Sequence, residues 1–161
     1  MSVIQKIPSM DDNALARLLG NALDLIHRNN NVTDARAVIS AIEAEWARRL
    51  DGYHAGQYKA ETPPEGVLRG IGYRVGNNGL PEDKRHQLLD FAITGTLPPV
   101  GSPAYIAEWG APKTRTRYAK LHRVIRVLAS RAYTLGNMEV AAGDWEADLK
   151  YIERKWRSAC L

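Results

Sequence analysis

Residues 112–136 read PKTRTRYAKLHRVIRVLASRAYTLG, and this stretch carries the clearest helical pattern in the chain. Its apolar residues step by three and four positions, which places them in one stripe along an α-helix: Tyr118, Leu121, Ile125, Leu128, Ala132 and Leu135. Pro112 is tolerated in a first helical turn, and Gly136 is a typical helix stop. We therefore predict a long helix over about 112–135 that is central to the core.

The same helical period recurs on both sides of this stretch, and no segment alternates polar and apolar residues over the length of a strand. The sequence predicts an all-α fold, a compact helical bundle of about six or seven helices. A polar turn at 28–31 predicts an N-terminal antiparallel helix hairpin over about 10–51. Residues of about 54–64 lack periodicity and indicate a linker, and a helical core is expected over about 65–157.

The composition bounds the class of protein. The 161 residues have the length of a single domain over 1–161, with 45% hydrophobic and 25% charged residues, which argues against a mainly disordered chain. One cysteine excludes an internal disulfide and a multi-cysteine zinc site. No run approaches the ~18–20 apolar residues of a membrane helix, and the first ten residues lack the apolar region of a secretory signal. We expect a cytoplasmic protein without a membrane partner.

The net charge of +4 comes from one window. Residues 109–138 carry seven basic side chains and no acidic one, whereas the rest of the chain is slightly acidic. Such a concentration of positive charge attracts phosphate backbones or an acidic protein surface. The ordinary alternative is a solvated helix face whose charges are neutralised by acidic neighbours in the fold. The seven residues are Lys113, Arg115, Arg117, Lys120, Arg123, Arg126 and Arg131.

The segment 102–131 has the outline of a basic helix-turn-helix, with a short helix, a turn at Gly110 and a basic second helix. Ile106 stands where that motif prefers a small residue, and the spacing from Gly110 to Leu121 is one residue off. In this motif the start of the second helix reaches base edges. The leading hypothesis is a non-catalytic accessory or regulatory protein that binds nucleic acid. It assigns base contacts to Lys113, Thr114 and Arg115, and phosphate contacts to Arg115, Arg117, Lys120 and Arg123.

Two other functions stay open. The basic face could dock on an acidic protein partner, or a small anion could bind, with or without catalysis, in a pocket formed by Tyr73, Arg74, Arg85 and Trp109. No set of nucleophile, base and orienting residue is visible, so no catalytic residue is assigned. His86 and Asp90 are four residues apart on one helix, but further ligands for a metal are lacking, and neither a metal nor a cofactor is expected. The oligomeric state is open, with a two-fold homodimer as the expectation.

Several stretches resemble a group of small bacterial helical proteins and domains with no established activity. They are GYRVG at 72–76, Arg85, GTLPPV at 95–100, YIAEWGAPKTRTRYAKL at 105–121 and WEADLKYIERKW at 145–156. The resemblance covers roughly residues 11–157. It implies an all-helical fold and supplies no catalytic residues.

Overall fold

The computed structural model describes residues 2–54 and 66–160, and within these ranges every regular element is a helix. The all-α prediction is thereby confirmed. Most of the linker expected over about 54–64 lies outside the described residues. The elements are α1 (Val3–Lys6), a 3₁₀ turn (Ile7–Ser9), α2 (Asp12–His27), α3 (Val32–His54), α4 (Gly66–Gly70), α5 (Glu82–Thr94), α6 (Pro103–Ala107), α7 (Arg115–Leu135) and α8 (Glu139–Trp156).

The described residues divide into two compact units. Unit 1 holds the described parts of Met1–Gly72 together with Gly95–Ile106, and unit 2 holds Tyr73–Thr94 with the described part of Ala107–Leu161. This division differs from the hairpin, linker and core expected from the sequence, because the chain returns to unit 1 after α5. In the described ranges, no helix combines the length and the apolar character that a membrane crossing requires.

Unit 1 is built on α2 and α3, which pack against each other. The carboxylate of Asp11 caps α2 by accepting a hydrogen bond from the Ala14 amide at 2.7 Å, a common way to satisfy a free amide at a helix start. Apolar residues of both helices form a buried core in unit 1. Its largest members are Leu15, Leu19, Ile42 and Trp46.

A buried arginine joins the far ends of these two helices. Arg49, near the end of α3, donates to the Met10 carbonyl at 2.6 Å and lies 3.3 Å from the Asp12 carboxylate at the start of α2. It also lies 3.6 Å from the buried Glu45 carboxylate. The end of α3 therefore meets the start of α2, so the pair runs antiparallel.

Unit 2 is built on α5, α7 and α8, with α7 and α8 packed along each other and α5 packed against both. The helix predicted over about 112–135 contributes buried residues to unit 2, which include Leu121 and Ile125. The predicted stripe fails at its far end, because Leu135 is 64% exposed. The helix also starts later than predicted, because α7 begins at Arg115 rather than Pro112.

Gly110, in the loop before α7, has a backbone conformation that favours glycine. Its φ is +68°, and a Cβ placed there would lie 2.9 Å from the Cβ of Thr116. Gly136 also has a positive φ of +74° but has open space around it, while Gly143 lies inside α8 with open space and an ordinary backbone. Substitution by alanine therefore adds strain and a steric conflict at Gly110, adds strain alone at Gly136, and changes only helix propensity at Gly143.

We expect Gly110→Ala to lower the free energy of unfolding by about 2 kcal/mol, because a strained backbone and a steric conflict add. Gly136→Ala should cost about 1 kcal/mol from strain alone. Gly143→Ala should raise stability by about 0.5–1 kcal/mol, since alanine is the better helix former. Urea denaturation of the three variants measures this order, and a Gly110→Ala protein as stable as wild type would contradict it.

Candidate nucleic-acid interface

The start of α7 is fixed by a side-chain cap. The Thr114 hydroxyl accepts a hydrogen bond from the Arg117 amide at 3.2 Å and donates one to the Ala111 carbonyl at 2.7 Å. Lys113 has a left-handed backbone with φ of +61°, and its amide donates to the Ile93 carbonyl at 2.8 Å. The hypothesis that Thr114 probes a base is therefore at odds with the structure, because the cap already engages its hydroxyl.

Arg117 is the second departure from the predicted interface. Its side chain is buried, and its guanidinium donates to the carbonyls of Ala92, Trp109 and Gly110 at 2.8–3.2 Å. Burial lowers the pKa of Arg117 to about 10, so the group stays protonated at neutral pH. The expected phosphate contact is wrong for this residue, because its donors serve the fold.

Lys120 is partly neutralised. Its Nζ lies 2.9 Å from the Glu108 carboxylate, and its side chain is only 18% exposed. For Arg117 and Lys120 the ordinary alternative from the sequence, charges used within the fold, describes the structure better than phosphate binding does.

The helix-turn-helix outline also differs from the structure. The connection between α6 and α7 runs from 108 to 114, seven residues, whereas that motif uses a turn of three or four. In addition, α6 has only five residues, most of which belong to unit 1, while α7 belongs to unit 2. We therefore describe the basic surface of α7 alone and not as the second helix of a helix-turn-helix.

What remains is a stripe that we call the arginine ridge, formed by Arg115, Arg123 and Arg126. All three are exposed on α7. At 100° per residue they fall within about 80° of one another, and they span about 16 Å of the helix axis. Within residues 2–54 and 66–160, no carboxylate lies within ion-pair distance of any of them. Helical phase alone predicts that all three lie on the side of α7 opposite its apolar stripe, although the predicted nucleic-acid contacts include Arg115 and Arg123 and not Arg126.

Two depressions flank the arginine ridge, and they share Arg115, Ala119 and Arg123. The α7–α8 depression, about 500 Å³, is also lined by Tyr118, His122, Arg126, Arg157 and Cys160. The α7–Glu108 depression, about 530 Å³, is also lined by Glu108, Thr116 and Lys120. Arg157 follows α8 and reaches this face because α8 packs on α7, which no local pattern in the sequence indicates.

The predicted small-anion pocket is replaced by a buried cluster. Tyr73 and Arg85 are both buried, and both bond to Asp148, which is fully buried in α8. The Tyr73 hydroxyl donates to Asp148 at 2.6 Å, and Arg85 donates two hydrogen bonds to it at 2.8 and 3.1 Å. Arg74 is exposed, and Trp109 is buried beside Arg117. Tyr73 and Arg85 therefore bond to a carboxylate of the fold, at the position where the sequence predicts an anion-binding pocket.

His86 and Asp90 have separate partners. The Nε2 atom of His86 lies 3.1 Å from Asp148 Oδ1, and its ring stacks on Tyr151 with a centroid distance of 3.8 Å. The Asp90 carboxylate instead accepts hydrogen bonds from three residues of the α8 end at 2.8–2.9 Å. These are Tyr151, Lys155 and Trp156. The two residues therefore clamp α5 onto α8 and do not form a pair that shares a proton.

Comparison of the chain with protein-family models, with curated proteins and with solved structures finds no match.

Replacing Arg117 tests its structural role. We expect Arg117→Met to lower the free energy of unfolding by about 3 kcal/mol, because it leaves three carbonyls without their donor. The matched variant Arg115→Met should change stability by less than about 0.5 kcal/mol, since that side chain is exposed. Urea denaturation measures both. Equal effects at the two positions would contradict the assignment of Arg117 to the fold.

The buried cluster predicts a pH dependence of stability. Burial and the negative charge of Asp148 raise the pKa of Tyr73 above its ordinary value. The folded protein keeps this proton at a pH where the unfolded chain, with a pKa of about 10, loses it. The contribution to stability is therefore complete below about pH 10 and is lost as pH rises above that value.

We expect wild type to lose about 1.4 kcal/mol more per pH unit above about pH 10 than Tyr73→Phe loses. At neutral pH, Tyr73→Phe should be less stable by about 1–3 kcal/mol, since it removes a hydrogen bond to a charged acceptor. Urea denaturation from neutral pH to about pH 11 measures the two curves. Parallel curves would show that Tyr73 does not retain its proton on folding.

Proposed function

We propose that this protein binds nucleic acid without catalysis, through the arginine ridge on α7, as an accessory or regulatory factor. The observation that carries the proposal is a stripe of exposed arginines, none of which has a carboxylate partner among the described residues. Three guanidinium groups along about 16 Å of helix form a linear array of positive charge. Phosphates along a nucleic-acid strand form the complementary array.

The way in which the fold uses the other basic residues supports this choice. Arg117 is buried on carbonyls and Lys120 faces Glu108, so both contribute to the structure of unit 2. In the part of the chain that the structure describes, no side-chain hydrogen bond or ion pair ties the ridge arginines to the fold. A guanidinium group suits phosphate because it can donate two hydrogen bonds in one plane, and it stays charged at every physiological pH.

An acidic protein partner would use the same charges. The two functions differ in the form of the ligand, since a phosphate backbone releases condensed counterions when it binds and an acidic protein surface carries few of them. A steep and linear dependence of the logarithm of the binding constant on the logarithm of the salt concentration is therefore the signature of nucleic acid.

The direct test reverses the charge of the three ridge arginines. We expect the triple variant R115E/R123E/R126E to lose at least about tenfold in affinity for labelled DNA or RNA. The salt slope should fall by about 3, since each phosphate contact contributes about 0.9. Fluorescence anisotropy between about 50 and about 200 mM salt measures both quantities. Circular dichroism shows whether the variant remains folded.

A control with the same change of net charge separates the ridge from general electrostatics. The variant R17E/R36E/K150E reverses three exposed basic residues on other helices. It should keep the wild-type salt slope and most of the affinity. An equal loss in both triple variants, or no binding by the wild-type protein at the lower salt, would overturn the proposal.

A further inference from the structure

We propose that the α7–α8 depression accepts one unpaired nucleotide, so that the arginine ridge prefers single-stranded nucleic acid to duplex. This inference rests on the proposed function and adds the class of ligand to it. It is carried by the size and the charge of the depression and by one hydroxyl that has no partner among the described residues. Three of the lining arginines belong to the ridge, whereas Tyr118 and Arg157 lie outside it.

The volume fits a ligand of nucleotide size. At about 500 Å³, the depression lies within the range of about 300–1,000 Å³ that small-molecule sites occupy. Its lining includes Tyr118, Ala119 and His122 on α7, and Arg157 and Cys160 after the end of α8. A single phosphate group would fill only a small part of this space, which leaves room for the sugar or the base attached to it.

The charge of the lining selects an anion. Four arginines border the α7–α8 depression, and its lining contains no carboxylate. The depression on the other side of the ridge contains the Glu108 carboxylate, with Lys120 paired to it. Glu153 lies near the first depression, where it bonds to His122 at 3.0 Å and faces Arg157 at 3.7 Å. One carboxylate against four guanidinium groups leaves a strongly positive site.

The Tyr118 hydroxyl is a buried polar atom with no hydrogen-bond partner in the described part of the chain. Native proteins rarely leave such atoms unsatisfied, so each one calls for a physical reason. Tyr118 lines the depression, and its ring lies tilted against that of His122 with a centroid distance of 5.7 Å. The hydroxyl is closed off from solvent in the described structure, so a bound nucleotide would have to displace the atoms that cover it before an oxygen or nitrogen of the ligand could satisfy it.

Only an unpaired nucleotide can enter such a site. In a duplex the bases are stacked and paired, so a protein ridge meets phosphates and groove edges. A single strand can turn one base away from its neighbours and place it against aromatic rings and guanidinium planes. The ring of Tyr118 and the guanidinium groups at the rim offer such surfaces, while the ridge follows the backbone.

The test compares Tyr118→Phe with Tyr133→Phe. Both variants remove one tyrosine hydroxyl from α7, but Tyr133 is 61% exposed and lies outside the lining of the depression. Binding to a labelled single strand and to the duplex of the same sequence is measured by fluorescence anisotropy. We expect wild type to prefer the single strand, and Tyr118→Phe to lose about tenfold in single-strand affinity with little change for the duplex.

Thermal denaturation of the same variant gives an independent readout. Because the Tyr118 hydroxyl has no partner among residues 2–54 and 66–160, its removal should leave the melting temperature unchanged or raise it. A marked fall would show that the hydroxyl serves the fold, and would overturn its role in the ligand site. Arg157→Gln gives a second variant, since it changes the depression and leaves the ridge intact. It should also weaken the single-strand complex selectively.

The outcomes separate this inference from the proposed function. Equal affinity for single strand and duplex, with no effect of Tyr118→Phe or Arg157→Gln, would overturn the nucleotide site. The proposed function would still stand if reversal of the ridge abolished both complexes. Competition by free adenosine monophosphate identifies the source of the nucleotide. Displacement of the labelled strand by the free compound from wild type, but not from Tyr118→Phe, would place a mononucleotide in the same depression and support the site.

Discussion

The surface of α7 depends on where that helix begins. The Thr114 cap fixes this point together with the buried guanidinium of Arg117. Its donors reach the carbonyl of Ala92, in the last turn of α5, and those of Trp109 and Gly110 in the loop before α7. Carbonyls in the last turn of a helix have no intrahelical partner, so the arginine satisfies an acceptor that would otherwise be buried alone. One cation thereby joins α5, the loop and the first turn of α7.

A second buried polar group positions α5 and α8. Asp148 accepts hydrogen bonds from Tyr73 and Arg85, and His86 lies at hydrogen-bond distance. Buried ion pairs are costly to desolvate, so their net contribution to stability is small, but a misplaced partner leaves a buried charge alone. We therefore regard this cluster as a device that selects one register of α5 on α8. The hydrogen bonds from the end of α8 to Asp90 on α5 favour the same register.

The contacts of Arg117 and of Asp148 separate five arginines of unit 2 into two groups. Arg85 and Arg117 are buried and hydrogen-bonded, and they contribute charge to the interior of unit 2. Arg115, Arg123 and Arg126 are exposed. A count of charges in a sequence window cannot tell the buried arginines from the exposed ones, since each contributes one positive charge to the count. The separation follows from helical phase and from the carbonyls that face each side of α7.

Local periodicity in the sequence predicts the helical class, a long helix over about 112–135 and the face that carries Arg115, Arg123 and Arg126, because helical phase depends only on neighbouring residues. It failed where the structure depends on distant partners. Arg117 and Tyr73 were expected at a ligand, and Asp148 was not singled out, because the carbonyls and carboxylates that engage them come from other segments. The α7–α8 depression also arises only in the folded state, since residues near 157 and 160 reach α7 when the two helices pack. Tertiary structure therefore decided which charges are free to bind, because burial and hydrogen bonding are set by neighbours far away in the chain.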